Sequence, residues 1–215
     1  MNEPSGIADG TGASRQGSDA RTTTAILLVG FYFAMRLLPG FQPHILLLVL
    51  GLALERLAGL GRGSQLRPSL GLTLGKPGRT LVISAAAVFA NLAFFYAWFA
   101  VLFRHPGTPT QCDFPALRAI VGACIFALHE ELFFRGYVIS RLKLWCRPAA
   151  AIGISAVVFG LAHFPDPGRM LTNVVAGIIF GVAFQFSGSL IPCVLAHGLA
   201  NALAGYLLTH ALVSG

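Results

Sequence analysis

The sequence predicts an all-α fold, a polytopic membrane helical bundle of about seven transmembrane helices, with six to eight as the range. Composition is the first reason: of the 215 residues, 55% are hydrophobic and 11% are charged, whereas about a quarter of a soluble domain is charged. Patterning is the second, because apolar runs of near-span length alternate with Gly/Pro-rich breaks. A water-soluble fold of this size cannot bury so much apolar surface, so we expect lipid to be its solvent.

Charge and cysteine usage exclude several other classes of protein. The formal net charge is +7, but the basic residues cluster in short loops, as orientation signals do. No pattern of basic and aromatic residues suggests nucleic-acid binding, so we expect no nucleic-acid partner. The four cysteines form no C-x-x-C pair, which argues against a disulfide framework and against a cysteine zinc site.

The chain divides into three predicted parts. Residues 1–23 are rich in Gly, Ser, Thr and Asp without apolar periodicity, and are predicted to be a disordered tail. Residues 24–115 are predicted to hold N-terminal transmembrane spans and their loops, with spans at 24–38, 44–60 and 80–103. Residues 116–212 are predicted to form the helical core, with helices at 116–144, 149–164, 170–186 and 190–212. Several spans are shorter than the roughly 20 residues that cross a bilayer, so one of them can be re-entrant or interfacial.

The distribution of Lys and Arg predicts the orientation. Basic residues concentrate in the tail, in the loop 61–79 and at the end of the fourth helix, where Arg141, Lys143 and Arg147 lie. These places share one side if every span crosses, so the positive-inside rule puts the N-terminus in the cytoplasm. The N-terminus lacks the form of a cleavable signal peptide. We therefore expect an integral protein of a bacterial inner (plasma) membrane, with an uncleaved first span.

Two adjacent acids, Glu130 and Glu131, lie in an apolar run of the fourth helix. An ionised acid at membrane depth costs at least about 2.5 kcal/mol, so such residues mark functional sites. Neighbouring helix positions point about 100° apart, and the two acids therefore cannot face one cavity equally. Glu131 precedes Arg135 by one turn, the favoured order for a helical ion pair. This spacing predicts a supporting, structural pair and leaves Glu130 as the freer acid, the candidate general base.

The fifth helix ends in a histidine that the hairpin geometry places beside Glu130. The fourth and fifth helices should be antiparallel around the turn at 146–148, and the midpoint of residues 130 and 163 falls in that turn. Equal distances from one turn put Glu130 and His163 at the same depth. A carboxylate level with an imidazole can share a water molecule and remove its proton.

His197 and Asn201 lie one turn apart on the seventh helix and share a face. Both can donate hydrogen bonds, which is the chemistry that stabilises an oxyanion. A simple up-and-down drawing leaves a gap of about 13 Å at helical rise between the depths of His163 and His197. Helix tilt, or a sixth span that does not cross fully, has to close that gap.

Each of these residues also has a structural interpretation. Glu130 can be a buried acid bonded to backbone or to Tyr137, and His163 a helix-end histidine beside a Pro-Gly stop. His197 and Asn201 can be polar contacts between membrane helices. The aromatic residues around the acids are better explained by packing than by substrate recognition: Phe126, Phe133 and Phe134.

Three motifs stand in order on these helices: Glu130-Glu131-x-x-x-Arg135, Phe159-x-x-x-His163 and His197-x-x-x-Asn201. In their order and spacing the chain resembles the CAAX protease and bacteriocin-processing (CPBP, or Abi) family, which includes the Ras-converting CAAX endoprotease branch of glutamic intramembrane proteases. The resemblance covers about residues 116–205. The first half of the chain is similar only in being hydrophobic.

The resemblance implies an intramembrane endopeptidase that needs no metal cofactor. Glu130 and His163 would activate the attacking water, His197 and Asn201 would form the oxyanion hole, and Glu131 and Arg135 would support them. A zinc peptidase of the same fold is the alternative, with Glu130, His163 and His197 as ligands and a fourth position open. The sequence has no His-Glu-x-x-His motif.

The resemblance implies a membrane protein or a lipidated peptide as substrate, through CAAX-type, bacteriocin or C-terminal sorting-signal processing. The predicted orientation favours removal of a C-terminal anchor from an exported protein. Two other classes stay open: a transporter that uses the acids and histidines as a proton relay, and a catalytically silent immunity scaffold. The absence of an internal repeat argues against a transporter, and the intact motifs argue against a silent scaffold. No feature predicts the oligomeric state.

Overall fold

The computed structural model of the chain describes residues 10–36, 43–57, 70–102 and 117–210. Within these ranges the chain forms seven helices and no strand, which confirms the all-α class. The helices are α1 (Gly10–Arg36), α2 (His44–Leu57), α3 (Pro77–Leu102), α4 (117–142), α5 (Pro148–Leu161), α6 (Pro167–Ser187) and α7 (Ile191–His210).

The helix α4 has a composite structure. Its first part, Leu117–Glu131, is α-helical, and the chain then continues as a π-helix, Leu132–Ile139, before a last α-helical turn, Ser140–Leu142. π-helical segments are rare and are frequent at functional sites. This one begins directly after the two adjacent acids, and all but its first residue are buried. A residue pattern with a period of 3.6 did not predict it.

The last four helices form the core that holds the site. The helix α5 packs against α6, α4 packs against α7, and α3 covers α6 and α7. Glycines permit the closest approaches. A Cβ atom at Gly198 would lie 2.5 Å from the Cys124 sulfur, and one at Gly177 would lie 2.8 Å from the Ala156 Cα. The backbones of α4 and α7 therefore touch beside His197.

The first two helices are fixed to the far end of α4 by a buried ion pair. Nε and Nη2 of Arg141 each donate to one carboxylate oxygen of Glu55, both at 2.7 Å. The hydroxyl of Thr22 donates to the Arg141 carbonyl at 3.1 Å. Both charged side chains are buried, at 2% exposure for Glu55 and 5% for Arg141. Arg141 is therefore not one of the free loop charges among which the orientation analysis counted it.

A second polar contact joins α1 to α2. The Tyr32 hydroxyl and Nε2 of His44 are 3.0 Å apart, and both rings pack against Phe133 and Phe134 of the π-helical segment. Tyr32 and His44, two polar residues from the first half of the chain, thus contact the π-helical segment that follows Glu130 and Glu131.

The start of the chain differs from the prediction. The helix α1 begins at Gly10, whereas residues 1–23 were expected to be a disordered tail and the first span to begin at residue 24. Packing fixes the helix at residue 22, which lies within the predicted tail, because Thr22 is buried and its hydroxyl donates to the Arg141 carbonyl at the end of α4. Residues 1–9 lie outside the described part, as do most of the loops predicted at 61–79 and 104–115.

Two of the described helices are long and apolar enough to cross a membrane, Pro77–Trp98 and Pro167–Ser187. Two more segments, Pro148–Leu161 and Ile191–Leu203, are apolar but shorter. The predicted count of seven spans is therefore not confirmed. On α3 the outward apolar side chains are largely exposed, with Leu81 at 70% and Phe89 at 75%.

We predict that Glu55→Ala destabilises the fold. It strands the Arg141 guanidinium in an apolar interior, and removing one partner of a buried pair costs about 3–5 kcal/mol. Thermal unfolding of the purified protein in detergent measures the loss. Arg56, the exposed neighbour of Glu55, provides the control. We expect Arg56→Ala to change the midpoint of thermal unfolding little. Equal midpoints for Glu55→Ala and the parent protein would contradict the ion pair.

We also predict that Gly198→Ala destabilises the contact between α4 and α7, by about 1–3 kcal/mol as overpacked cores do. The matched control is Gly122→Ala on α4, where an added Cβ meets nothing within 4 Å and the helix gains intrinsic propensity. The same unfolding assay compares them. If Gly198→Ala were as stable as Gly122→Ala, the close backbone approach would be wrong.

Candidate active site

Glu131 is the centre of the buried polar cluster. Its Oε1 accepts a hydrogen bond from Nη1 of Arg135 at 2.9 Å and another from Nδ1 of His197 at 2.8 Å. The ion pair expected from the helical spacing is therefore present. The bond to His197 was not expected, and it joins α4 to α7. A carboxylate oxygen only accepts hydrogen bonds, so Nδ1 of His197 carries a proton.

Glu130 approaches the same imidazole from its other nitrogen. Its Oε2 lies 3.8 Å from Nε2 of His197, and the side chain is buried, with 6% of the residue exposed. The two acids thus face opposite nitrogens of one ring, at unequal distances. The sequence predicted His197 to act with Asn201 as an oxyanion donor, but it did not predict the position of His197 between the two acids.

His163 follows α5, in the turn that ends the helix. Its Nδ1–H donates to the carbonyl oxygen of Phe159 at 2.9 Å. In a neutral imidazole that bond leaves Nε2 as the hydrogen-bond acceptor. The turn therefore fixes both the direction of the ring and the tautomer that can take up a proton.

The ring of Phe159 brings the two imidazoles together. Its centroid lies 5.2 Å from the His163 ring and 5.9 Å from the His197 ring, and both contacts are edge-on. Both imidazoles therefore contact the same phenylalanine, so their separation is smaller than the gap of about 13 Å in an ideal up-and-down drawing. The phenylalanine of the Phe-x-x-x-His motif has a packing role at the middle of the site.

Arg135 lies between two aromatic rings. Its guanidinium carbon is 4.4 Å from the Phe159 centroid and 5.4 Å from the Phe180 centroid, within cation–π distance. Phe180 also stacks on His197 at 5.0 Å. These rings exclude water from the charged groups, which strengthens their electrostatic interactions. Phe180 belongs to no motif, so no residue pattern indicated its role.

Among the described residues, three polar atoms of the cluster are buried without a hydrogen-bond partner: Oε2 of Glu131, and Nε and Nη2 of Arg135. Buried polar atoms are almost always paired, with protein or with ordered water. These atoms can therefore form hydrogen bonds with ordered water inside the site.

Asn201 lies at the edge of this cluster. It is one turn beyond His197 on α7, and it is exposed whereas His197 is 4% exposed. The structure therefore joins Glu130, Glu131 and Arg135 to one another through His197 and the ion pair, and it places His163 against the Phe159 ring that also contacts His197.

The zinc alternative requires at least three protein ligands placed around one ion. Within residues 10–36, 43–57, 70–102 and 117–210, no three or more His, Cys, Asp or Glu side chains are placed to hold a metal ion. Glu130, His163 and His197 thus do not form such a group here. Chemistry without a metal cofactor stays a prediction.

Comparison with known proteins gives one match. No curated protein and no solved structure matches the chain. Residues 113–203 match the model of a family described as type II CAAX prenyl endopeptidase Rce1-like. This stretch is less than half of the chain, but it contains all three motifs and every predicted site residue. The family consists of membrane proteases, and residues 113–203 of this chain are similar to it, in agreement with the resemblance that the motifs indicated.

Proposed function

We propose that the protein is a membrane-embedded glutamic-type endopeptidase, which hydrolyses a peptide bond in a membrane-associated protein or peptide. One observation carries the proposal: two buried carboxylates on α4 face the two nitrogens of His197 on α7, and a second imidazole, from His163, shares the Phe159 ring with it. A purely structural ion pair between Glu131 and Arg135 would require neither the second imidazole nor the second acid, Glu130.

Glu130 is the proposed general base. It is the acid of the pair that lies farther from its imidazole nitrogen, at 3.8 Å, whereas Glu131 is held by two hydrogen bonds. A water molecule beside Glu130 gives up a proton to the carboxylate as its oxygen attacks the peptide carbonyl carbon. The same proton then passes to the leaving amine when the C–N bond breaks. Nε2 of His163 accepts a hydrogen bond from this water and orients it.

His197 and Asn201 are the proposed donors to the oxyanion that forms on the carbonyl oxygen. Because Nδ1–H of His197 is engaged by Glu131, the ring can donate to an oxyanion only through a protonated Nε2. Asn201 would donate from the exposed side, where the substrate enters.

Glu131 and Arg135 are proposed to position His197 rather than to touch the substrate. The guanidinium neutralises the carboxylate, and the aromatic rings fix the guanidinium. In this arrangement, as in catalytic triads, a side chain that acts on the substrate is oriented by a group that does not. The rotamer of His197 is then set before any substrate binds.

The substrate is proposed to reach the site from the membrane. CAAX proteases act on prenylated proteins in membranes, which supports a lipidated or membrane-anchored substrate. Bacteriocin precursors and C-terminal sorting signals fit the same site. The cytoplasmic N-terminus and the bacterial inner membrane remain predictions from the positive-inside rule.

We predict that Glu130→Gln and His163→Ala each lower cleavage by about 10²- to 10⁴-fold, the usual contribution of general acid–base catalysis. The assay follows two peptides in lipid nanodiscs, a prenylated CAAX peptide and a membrane-anchored sorting-signal peptide. His129→Gln is the matched control, since it alters the residue next to Glu130 but removes no proposed catalytic group. A chelator should leave the parent activity unchanged.

Full activity in Glu130→Gln would end this mechanism. Activity that falls with the chelator and returns with zinc would instead support the zinc peptidase. Because each variant is also checked by thermal unfolding, a loss of cleavage by a folded protein is distinguished from misfolding.

For the positioning pair, we predict that Glu131→Gln reduces kcat less than Glu130→Gln does. The amide oxygen can still accept one hydrogen bond, whereas the charge that balances Arg135 is lost. The double variant Glu131→Gln, Arg135→Gln should be less impaired than the sum of the single effects, because groups in one network couple by about 0.5–3 kcal/mol. Strictly additive losses in kcat would show that the two side chains act separately.

A further inference from the structure

An apolar pocket outside the active site lies where the loop before α3 meets the start of α7. It encloses about 320 Å³ and is lined chiefly by leucine and valine side chains: Leu72, Leu74, Leu128, Leu190, Val194 and Leu195. The volume is within the range of small-molecule sites, about 300–1,000 Å³. Among the described residues that line the pocket, only Thr73 has a polar side chain, so the pocket fits a hydrocarbon chain better than a polar ligand.

The pocket is preformed, because its loop is bonded to the turn between α6 and α7. The amide of Leu190 donates to the Gly71 carbonyl at 2.9 Å. The Ser189 hydroxyl donates to the Thr73 carbonyl at 2.5 Å, and the Thr73 hydroxyl donates to the Gly188 carbonyl at 3.2 Å. Gly71 has a φ of 72°, a conformation that glycine adopts readily. These bonds pair polar groups of the loop with the turn, while Leu72 and Leu74 of the same loop line the pocket.

Cations lie beside this apolar wall. Lys76 and Arg79 follow the pocket loop directly and are exposed, and one guanidinium N–H of Arg79 donates to the Phe186 carbonyl at 2.5 Å. A guanidinium has five N–H donors, so Arg79 keeps others for a ligand. Residues 70–79 and 184–191 contain no Asp or Glu. The rim of the pocket is therefore complementary to an anion.

The pocket also lies at the end of a candidate membrane span. Pro77–Trp98, which belongs to α3, is the less buried of the two candidate spans. Of its most apolar 18 residues, 11% are buried inside the protein, against 33% for Pro167–Ser187. Lys76 and Arg79 mark its first turn, where the end of a span meets lipid headgroups. Basic sites at this depth between helices bind the headgroups of anionic lipids.

We propose that this pocket binds an anionic phospholipid, with one acyl chain against the leucines and the phosphate on Lys76 and Arg79. The proposal concerns a site distinct from the acids, and its binding test does not depend on peptidase activity. The bound chain would still lie near the chemistry. Leu128 precedes Glu130 by two residues, and Val194 precedes His197 by three, which is less than one helical turn. The lipid would then support the helices that hold both residues.

Native mass spectrometry of the full-length protein, titrated with phosphatidylglycerol or phosphatidylcholine of the same chains, tests the proposal. We expect phosphatidylglycerol to bind more tightly, and Lys76→Gln to weaken it about fivefold, as a cation worth about 1 kcal/mol predicts. Leu195→Trp, which fills the pocket, should weaken both lipids and leave the cations in place.

Two controls match these variants. Arg169→Gln removes one exposed charge at the other end of α6, and Ile154→Trp adds the same bulk at an apolar position as exposed as Leu195, 43% against 46%. Neither should change lipid binding. Equal affinities for the two lipids, with no effect of Lys76→Gln, would overturn the anionic site.

Unchanged lipid binding by Leu195→Trp would place the lipid elsewhere and overturn the pocket assignment. If that variant altered peptide cleavage while lipid binding stayed intact, the pocket would belong to the substrate and the lipid proposal would be wrong.

Discussion

The hydrogen-bonded contact of Glu131 with both Arg135 and His197 is the interaction on which the site depends. Burying an unpaired carboxylate costs free energy comparable to the net stability of a folded protein. Glu131 is fully buried and therefore needs partners. The donors come from two places, one turn along α4 and across on α7. The pairing therefore fixes the distance between these helices as well as the charge. Gly198 permits that distance, since no side chain keeps α7 away from Cys124.

The first half of the chain has a physical role that its composition did not reveal. Glu55 neutralises Arg141 beyond the π-helical segment, while Tyr32 and His44 pack against the phenylalanines inside it. Buried ion pairs thus hold α4 at both ends of its π-helical segment: Glu131 with Arg135 at the start, and Glu55 with Arg141 after the end. An irregular helix would otherwise leave the direction of Glu130 poorly defined.

Much of the helical pattern and the chemical motifs could be predicted from the sequence, because both depend on local spacing. The ion pair of Glu131 with Arg135 follows from one turn of helix, and the helices after residue 116 begin and end near their predicted limits. The position of His197 between two acids could not be predicted, since 66 residues separate it from Glu131. The pairing of Glu55 with Arg141, 86 residues apart, and the stacking of Phe180 on His197 are tertiary contacts of the same kind. The π-helical segment had no signal in a residue pattern that assumes a period of 3.6.

Histidine-selective ¹⁵N solid-state NMR of the protein in lipid bilayers tests the central arrangement most directly. It reports the protonation and hydrogen bonding of each imidazole nitrogen. A protonated Nδ1 on His197, with a resonance that shifts in Glu131→Gln and stays in place in Arg56→Ala, is the result expected here. An unprotonated Nδ1 on His197, or a signal unaffected by Glu131→Gln, would contradict the contact that joins α4 to α7.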